Sequence, residues 1–485
     1  EGIMSFEYAP APESRSVVSI AKSYGLFING EFTDATGTPF DTINPATEEV
    51  LASIATASSK DVDRAVNAAR KAAPKWAALP AKERGKYLYR IARILQERAR
   101  EFAVLETLNN GKPIRESRDT DIPLVAAHFF YHAGWADKLE YAGLPSTTPY
   151  GVVGQIIPWN FPLLMLAWKV APALATGNVV VLKPAETTPL TALLFADVVR
   201  QAGVPDGVIN IITGDGSTGA ALVEHPGIDK IAFTGSTEVG KIIARSIHQR
   251  MSEKHRGLTL ELGGKGANII FEDAPLDESV EGIINGIFFN QGHVCCAGSR
   301  LLVQENVLEE VTDRLKDRMA KLRVGDPMDK NTDVGAINSA AQLAKIRELS
   351  ASGINEGAES WSTPCQLPTN GFWFAPTIFT GVTQAHRIAR EEIFGPVLSV
   401  LTFRTPAEAV EKANNTPYGL SAGIWTDKGS RILWMAERMR AGVVWANSFN
   451  KFDPTSPFGG YKESGWGREG GRHGLAAYVK AGNHE

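Results

Sequence analysis

Apolar residues recur at helical spacing through the first part of the chain. The pattern covers residues 61–79, residues 82–110 and a third stretch at about 117–139. A repeat near 3.6 residues places the apolar side chains on one face of a helix. We therefore predict amphipathic helices in this part, after a polar lead-in over residues 1–25.

From about residue 150 the pattern changes to short apolar runs separated by helix-like segments. Runs at 152–157, 178–183, 207–213 and 230–235 are typical of buried strands, and helix-like segments lie at 189–202 and 216–225. This βαβαβ order indicates a parallel sheet covered on both faces.

A second alternating block begins at about residue 263. Its predicted strands are 267–271, 299–305, 395–403, 422–426 and 442–448, and its predicted helices are 276–290, 306–322, 406–415 and 428–439. The predicted fold class is α/β, with two lobes that each hold an open, mostly parallel sheet flanked by helices.

Composition and charge favour a small-molecule partner. The 485 residues are 44% hydrophobic, and Lys+Arg 50 against Asp+Glu 54 gives a net charge of −4 with no long run of one sign. We therefore expect no nucleic-acid partner. No apolar run reaches about 18 residues, so we expect no membrane span. Three cysteines rule out a disulfide framework and predict a reduced, cytoplasmic protein.

Two glycine-rich turns follow predicted strands. "GDGSTG" (214–219) fits the G-x-G-x-x-G pattern, which alone is a weak signal because glycine is common at such turns. "FTGSTEVG" (233–240) opens a predicted helix whose free N–H groups would suit a pyrophosphate. The plainer alternative is that Ser236 only caps the helix.

Two loops after predicted strands carry polar residues with two possible roles each. Lys183 and Glu186 in "LKPAETT" would suit ribose hydroxyls, or would form a solvated pair. Asn160 in "PWNFP" sits in a turn stiffened by prolines, where its amide could donate to an oxyanion or bond only to the local backbone.

An acid and a pair of cysteines are the candidate reactive groups. Glu261 in "LELGGKG" is either a general base or an exposed carboxylate. Cys295 and Cys296 lie together in "FFNQGHVCCAGSR" (288–300), where each is either a nucleophile or a small buried hydrophobic residue.

Taken together and in order, these motifs resemble the aldehyde dehydrogenase superfamily over about residues 26–478. The resemblance also rests on "EEIFGPV", "VWANSFN" and "PFGGYKESGWGRE". It implies that Cys295, the third residue after Gly292, is the nucleophile and that Cys296 only packs. It further implies that Asn160 donates to the oxyanion, Glu261 is the general base and Lys169 is a nearby proton-relay or structural residue.

The resemblance implies contacts for a cofactor and a substrate, and no metal. NAD is favoured over NADP, because Glu186 would repel a 2′-phosphate. The implied cofactor contacts are Ile156, Pro158, Trp159, Lys183, Glu186, Gly216, Phe233, Gly235, Ser236, Glu392 and Phe394. Phe161, Trp168, Phe452 and Phe458 would form the walls of an aldehyde tunnel, with plain core packing as the alternative for each.

The same resemblance implies a division into domains and a homodimer. Residues 26–128 and 150–262 would bind NAD(P), residues 263–462 would form the catalytic domain, and residues 129–149 and 470–485 would be oligomerisation segments. "FEYAPAPES" resembles a rarer branch with a second, degenerate aldehyde dehydrogenase-like domain. If the chain is one domain of such a protein, its end at "GLAAYVKAGNHE" predicts an altered subunit pairing.

The implied reaction is oxidation of an aldehyde to the carboxylic acid through a thiohemiacetal and a thioester on Cys295. Glu261 favours hydrolysis of the thioester over its transfer to another thiol. Two alternatives are an inactive scaffold or binding domain of a larger protein, and a cysteine hydrolase without redox chemistry. The intact Cys295, Glu261 and Asn160 argue against the first, and the cofactor turns argue against the second.

Overall fold

The computed structural model describes residues 8–250 and 256–481. Residues 1–7 of the predicted lead-in and residues 482–485 of the second predicted oligomerisation segment lie outside the described residues. The α-helices are Ser59–Ala78, Ala81–Glu97, Ala99–Asn110, Ile114–Glu116, Ile122–Trp135, Pro162–Ala175, Leu190–Gln201, Gly216–Glu224, Thr237–Gln249, Leu276–Phe288, Leu308–Met319, Ala340–Asn355, Arg387–Arg390, Pro406–Asn414, Gly429–Ala436 and Gly471–Ala476. In the described part of the chain, no helix is both long and apolar enough to cross a bilayer.

The first large sheet has eight strands and contains the predicted βαβαβ unit. In spatial order its strands are Gly465–Trp466, Gly257–Glu261, Lys230–Thr234, Val152–Ile156, Val179–Lys183, Ile209–Ile211, Leu26–Ile28 and Glu31–Thr33. The neighbours from Gly257–Glu261 to Ile209–Ile211 are parallel, and the pairs at both edges are antiparallel. The parallel strands are almost wholly buried, which explains their continuous apolar runs.

The second large sheet has seven strands and corresponds to the second predicted block. In spatial order they are Glu359–Ser362, Thr377–Thr380, Val397–Phe403, Arg300–Gln304, Ala267–Ile270, Ser421–Trp425 and Val443–Ala446. Only the edge pair of Glu359–Ser362 with Thr377–Thr380 is antiparallel. The two mostly parallel sheets with their helices confirm the predicted α/β fold.

Three small sheets complete the architecture. They pair Ser23–Tyr24 and Phe40–Ile43 with Val50–Ile54, Tyr418–Gly419 with Tyr461–Lys462, and Val479–Ala481 with Thr147–Pro149. The last pair joins the two segments predicted for oligomerisation. The predicted domain boundaries stay predictions, but they cut through continuous structure. Helix Ile122–Trp135 crosses the boundary at 128/129, and strand Ser23–Tyr24 lies inside the predicted lead-in.

Several helices differ from the sequence prediction. The stretch 82–110 forms two helices that meet at Arg98, whose φ of −100° and ψ of 16° end the first helix. Helix Pro162–Ala175 was missed because all 14 of its residues are buried, so it shows no polar face. The stretch at about 117 begins as a π-helical turn, Ser117–Asp121, before helix Ile122–Trp135.

The carboxyl ends of the parallel strands bring predicted site residues to one edge of the first sheet. Thr234 and Glu261 are register partners at the ends of neighbouring strands, and Ile156 and Lys183 are partners at the next pair. In open α/β sheets, ligands bind at this edge. The Cys295 loop immediately precedes strand Arg300–Gln304 of the second sheet. The site therefore forms between the carboxyl edge of the first sheet and the loop that leads into the second.

Candidate active site

The Cys295 loop follows a tight turn with an unusual backbone. Asn290, Gln291 and Gly292 all have positive φ, at 51°, 56° and 73°. A Cβ on Gly292 would lie only 2.0 Å from the carbonyl oxygen of Gly395. The Asn290 N–H donates to Glu116 Oε1 at 2.8 Å. The turn is thus held in place by the backbone of Gly395 on one side and by the buried Glu116 on the other.

Cys295 and Cys296 differ in exposure. Cys295 is half-buried and Cys296 is buried, and both are free thiols. The Cys296 carbonyl accepts a hydrogen bond from Ser421 Oγ at 2.8 Å, which fixes the backbone beside Cys295. The neighbouring Cys296 thiol, together with burial, raises the pKa of Cys295 well above its ordinary value. Cys295 is therefore a protonated thiol at neutral pH.

Asn160 is locked to the Cys295 loop. Its Nδ2 donates to the carbonyl of His293 at 3.0 Å, and the Asn160 carbonyl accepts from Asn290 Nδ2 at 2.8 Å. The side chain is 5% exposed. An amide nitrogen carries two hydrogens. One N–H is used by His293, so the second remains for a ligand.

Glu261 ends its strand with a carboxyl group that forms no hydrogen bond with any described residue. Burial first, and then the nearby Glu469, raises the pKa of Glu261 well above its ordinary value. Lys169 Nζ donates to Thr234 Oγ1 at 2.6 Å and forms an ion pair with Glu469. A second acid and its lysine therefore lie next to Glu261.

Two cavities meet at these residues. One spans about 540 Å³ and the other about 570 Å³, and both figures include space that is open to solvent. The residues that line both are Asn160, Thr234, Glu261 and Cys295. Molecules bound in the two cavities would therefore come together at Cys295.

The first cavity has aromatic walls. All four predicted tunnel residues line it, with Trp168 and Phe458 in edge-to-face contact at 5.1 Å between ring centroids. The other lining residues are Thr120, Asp121, Leu124, Leu164, Met165, Phe289, Val294, Cys296 and Glu469. Aromatic and aliphatic side chains would exclude water from a bound apolar molecule.

The second cavity contains six of the predicted cofactor residues. They are Pro158, Trp159, Gly235, Ser236, Glu392 and Phe394. Trp159 and Phe394 meet edge to face at 5.3 Å. Ser236 caps helix Thr237–Gln249 and accepts a hydrogen bond from the Val239 N–H, so the plainer role considered for it is present. The cavity therefore opens at a helix N-terminus, which is suited to an anionic group.

Glu392 is fixed at the wall of this cavity. Its Oε2 accepts a hydrogen bond from the Gly264 N–H at 2.5 Å. Burial raises the pKa of Glu392 to about 7. A Cβ on Gly263 would lie 2.1 Å from this oxygen, so only glycine leaves room for the carboxyl group.

The remaining predicted cofactor residues lie outside both cavities, at the same edge of the first sheet. Ile156 and Lys183 end neighbouring strands, and Gly216 begins a helix beside them. Lys183 Nζ donates to the Pro184 carbonyl at 3.1 Å, and burial lowers its pKa. Glu186 is exposed. Phe233 is buried against Gly235, where a Cβ would lie 2.6 Å from the Phe233 ring.

Sequence reasoning missed several residues that line the site. They are Thr120, Asp121, Leu124, Leu164, Met165, Thr234, Phe289, Gln342, Lys345 and Glu469. The one available signal was the Glu469 position in "GWGRE", a motif that was recognised without assigning a role to its acid. Within residues 8–250 and 256–481, no group of three or more His, Cys, Asp or Glu side chains could hold a metal ion.

Comparisons with known proteins show the family of the chain. The model of the aldehyde dehydrogenase family matches residues 32–483. Human retinal dehydrogenase 2 is 45% identical, over 98% of this chain and 93% of that protein. Rat mitochondrial aldehyde dehydrogenase is 45% identical, over 97% of this chain and 92% of that protein.

Solved structures show the same architecture. The NAD⁺ complex of aldehyde dehydrogenase from Bacillus cereus has a TM-score of 0.91 and 42% identity, and covers 95% of this chain and 96% of that one. A Cys-to-Ala variant of Pseudomonas syringae indole-3-acetaldehyde dehydrogenase with NAD⁺ also has a TM-score of 0.91, at 41% identity. The match of the family model, the identity to named relatives and the fold together show that the chain belongs to the aldehyde dehydrogenase family.

Proposed function

We propose that Cys295 is the nucleophile and Glu261 the hydrolytic base of the NAD-dependent aldehyde oxidation to which the family membership points. One observation carries the proposal. Cys295 and Glu261 line both cavities, so a substrate in the aromatic cavity and a cofactor in the second would both reach them.

The first step is addition of the Cys295 sulfur to the aldehyde carbon. The thiol must lose its proton to become a nucleophile, and Glu261, which lines the same two cavities, would accept that proton when its carboxyl group is ionised. The aldehyde oxygen becomes an oxyanion, which the second Asn160 N–H and the Cys295 backbone N–H stabilise. Both N–H donors are held in place by the Cys295 loop. They therefore need little movement to bind the oxyanion during the reaction.

Loss of a hydride from the former aldehyde carbon turns the adduct on Cys295 into a thioester, and the next step is hydrolysis of that thioester. Glu261 takes a proton from water, which attacks the thioester carbon, and the Cys295 thiolate leaves. The basic form of Glu261 is its ionised carboxylate. Because the pKa of Glu261 is raised, this form becomes populated at a higher pH than for an ordinary glutamate. The ion pair of Lys169 with Glu469 provides a neighbouring path for the proton.

The residues that line the second cavity suit NAD by their chemistry. Ser236 and the N-terminus of helix Thr237–Gln249 would hold the pyrophosphate, and Glu392 would hold the hydroxyls of the nicotinamide ribose. Trp159 and Phe394 would contact the nicotinamide ring. When bound, NAD supplies a hydride acceptor for the aldehyde carbon.

Lys183 and Glu186 would bind the adenosine ribose. They lie at the carboxyl end of strand Val179–Lys183, the place where an acid binds a ribose 2′-hydroxyl in such sheets. A 2′-phosphate would meet the Glu186 carboxylate, so we favour NAD over NADP. The remaining predicted contacts, Ile156, Gly216 and Phe233, would shape this part of the site.

The substrate is an aldehyde with an apolar body. Phe161, Trp168, Phe452 and Phe458 offer ring surfaces and no charge to a molecule in the first cavity. The similar proteins include a retinal dehydrogenase and an indole-3-acetaldehyde dehydrogenase, whose names give substrates with such bodies. We propose that the substrate of this chain belongs to the same class of aldehydes with an apolar body. The proposal does not specify which apolar body it carries.

We also propose a homodimer in a reducing compartment, the cytoplasm. Val239 and Ile242 on helix Thr237–Gln249 are 42% and 56% exposed, and Trp466 is 48% exposed. Lys241 Nζ bonds to Glu463 Oε1 at 2.9 Å, so this helix and the strand of Trp466 share one face. A second copy would cover that apolar face. Cys295 must stay a thiol to act, which a reducing compartment ensures.

A comparison of two single variants tests the nucleophile. Cys295→Ala should abolish aldehyde-dependent NADH formation and ester hydrolysis, because both need the thiolate. Cys296→Ala should keep most of both activities, since the thiol that attacks the substrate is that of Cys295. NADH absorbance and an ester substrate supply the two readouts. If Cys296→Ala is the inactive variant, the assignment of Cys295 is wrong.

A further inference from the structure

Asn290 cross-links the two loops that carry the proposed oxyanion donors. Its side-chain Nδ2 donates to the Asn160 carbonyl at 2.8 Å and to the His293 carbonyl at 3.1 Å. An amide nitrogen carries two hydrogens, so both are used in these bonds. Asn160 Nδ2 donates to the same His293 carbonyl at 3.0 Å. The Asn290 side chain therefore sets the spacing between the Asn160 turn and the loop that leads to Cys295.

The backbone at Asn290 has a conformation that needs support. Asn290 has φ of 51° and ψ of 37°, and Gln291 has φ of 56° and ψ of 26°. Two consecutive residues with a Cβ are thus left-handed, and strained backbone of this kind persists only where its surroundings hold it. Helix Leu276–Phe288 ends just before this turn. We therefore looked for contacts that other parts of the chain make with the turn.

Glu116 makes such a contact from 174 positions away. Its Oε1 accepts the hydrogen bond from the Asn290 N–H at 2.8 Å. Glu116 is buried and ends the short helix Ile114–Glu116. The first N–H of that helix, at Ile114, donates to the Pro327 carbonyl at 2.7 Å, which fixes the helix in place. The Asn290 backbone is therefore bound to an element that is itself anchored.

The same segment of the chain also holds the Asn160 turn. Asn110 Nδ2 donates at 2.6 Å to the carbonyl of Trp159, the residue before Asn160. Asn110 Oδ1 accepts a hydrogen bond from the Lys112 N–H at 3.0 Å, which orients the amide. Residues 110–116 therefore contact both loops, one through Asn110 and the other through Glu116.

We propose that Glu116 and Asn290 are positioning residues for the oxyanion of the reaction. Glu116 holds the Asn290 backbone, and the Asn290 amide then holds the Asn160 turn at the distance from the Cys295 N–H that the oxyanion needs. The inference rests on the proposed function, in which these two groups are the donors. Neither Glu116 nor Asn290 lines either cavity of the site, so both act through the residues they hold. Donors fixed before the reaction stabilise the developing charge without reorganisation.

The contact at Glu116 requires a hydrogen-bond acceptor and no negative charge. Burial raises the pKa of Glu116 to about 8, so its carboxyl group is mostly neutral at pH 7. A neutral carboxyl group still accepts through its carbonyl oxygen, as an amide does. Glu116→Gln therefore keeps the contact. Glu116→Ala removes it and leaves the buried Asn290 N–H without that partner.

The test compares these two variants of the whole enzyme at pH 7. Glu116→Ala should lower kcat for NADH formation by about 10- to 100-fold, the effect expected when catalytic groups are misplaced. Its Kd for NAD, from a fluorescence titration, should stay at the wild-type value, because Glu116 does not line the second cavity. Glu116→Gln should recover most of kcat. A loss of stability alone would not lower kcat per folded enzyme while leaving the Kd for NAD unchanged.

Asp61→Ala is the matched control for removing a buried acid. Asp61 is fully buried and accepts hydrogen bonds from the N–H groups of Thr36 and Ser58, each at 2.9 Å. It caps helix Ser59–Ala78 and lines neither cavity of the site. Asp61→Ala should therefore lower Tm and keep the wild-type kcat. An equal loss of kcat in both variants would show that Glu116 has no special role.

Asn290→Gly tests whether Glu116 acts through the Asn290 side chain. Glycine adopts the positive φ of this position and keeps the N–H that bonds to Glu116, so only the cross-link is lost. Asn290→Gly should lower kcat about as much as Glu116→Ala does. Residues that act through one another are not additive, so the double variant should fall little further than Asn290→Gly alone. Independent, multiplying losses would contradict the proposed route.

Three results would overturn the proposal. They are a wild-type kcat in a folded Glu116→Ala, a wild-type kcat in Asn290→Gly, and a Glu116→Gln that is as impaired as Glu116→Ala. Asn290→Gly decides the matter if Glu116→Ala does not fold. Asn160→Ala separates this failure from that of the proposed function. If Asn160→Ala keeps the wild-type kcat, the oxyanion role itself is wrong, whereas an impaired Asn160→Ala beside an unimpaired Glu116→Ala refutes only the positioning role.

Discussion

At the scale of single residues, the chemistry depends on how Cys296 tunes Cys295. The adjacent Cys296 thiol and burial both raise the pKa of Cys295 well above its ordinary value. A raised thiol pKa leaves little thiolate at neutral pH. The resting enzyme should therefore resist alkylation until a base or a higher pH removes the proton.

Cys296→Ala should make Cys295 more reactive at neutral pH. The substitution removes the neighbouring thiol that raises the pKa of Cys295, so the midpoint of alkylation against pH should move down. Iodoacetamide labelling followed by peptide mass spectrometry measures the rate at Cys295. A Cys365→Ala background removes the exposed third thiol. An unchanged or higher midpoint would show that Cys296 does not control the thiol.

The sequence could identify residues whose role belongs to a local motif. Cys295, Glu261 and Asn160 each stand in a recognisable stretch, and the structure brings the three together at the junction of two cavities. Glu469 was missed because its importance comes from Lys169, which lies 300 positions away. No local pattern encodes a contact of that range.

At the scale of elements, the turn before Cys295 controls where the nucleophile points. Its backbone has positive φ at Asn290, Gln291 and Gly292, and the glycine presses against Gly395. A left-handed conformation costs a residue with a Cβ about 1–2 kcal/mol. The contact adds to that cost, because the carbonyl of Gly395 belongs to the backbone and cannot swing away.

Gly292→Ala should displace the turn and destabilise the protein by at least about 1–2 kcal/mol. Activity should fall more steeply than stability, since the nucleophile is three residues away. Urea unfolding and the NADH assay provide the two measurements. Gly325→Ala is the control, because its Cβ would meet no atom within 4 Å. Equal effects of the two substitutions would argue against a positioning turn.

Helices and strands could be predicted from the sequence where their pattern of buried residues leaves a clear signal in it. The parallel strands are buried on both faces, so their apolar runs mark them, as in Val179–Lys183. Helix Pro162–Ala175 is buried just as fully and gives no helical period. The break at Arg98 lies in a charged run with no proline or glycine to announce it. Tertiary packing, which local pattern does not contain, decides such cases.

At the scale of the whole molecule, the two sheets place the cavities and leave one apolar face uncovered. Ile242→Asp should disrupt the proposed homodimer, because a buried unpaired carboxylate at an interface is costly. By light scattering, the wild type should have twice the 52.4 kDa mass of the chain, and the variant should have the mass of a single chain. Ile354→Asp, at a side chain 57% exposed on another helix, should remain dimeric. A monomeric wild type would contradict the proposed interface.

The division of labour between Cys295 and Glu261 is tested most directly by trapping the intermediate. Glu261→Gln should form the thioester but hydrolyse it slowly, lowering turnover by about 10²- to 10⁴-fold, the range for loss of a general base. After the variant is mixed with NAD and an aldehyde, intact-mass and peptide mass spectrometry should find one acyl group on Cys295. The double variant with Cys295→Ala should carry none. A Glu261→Gln protein that stays unmodified and turns over at the wild-type rate would contradict the account.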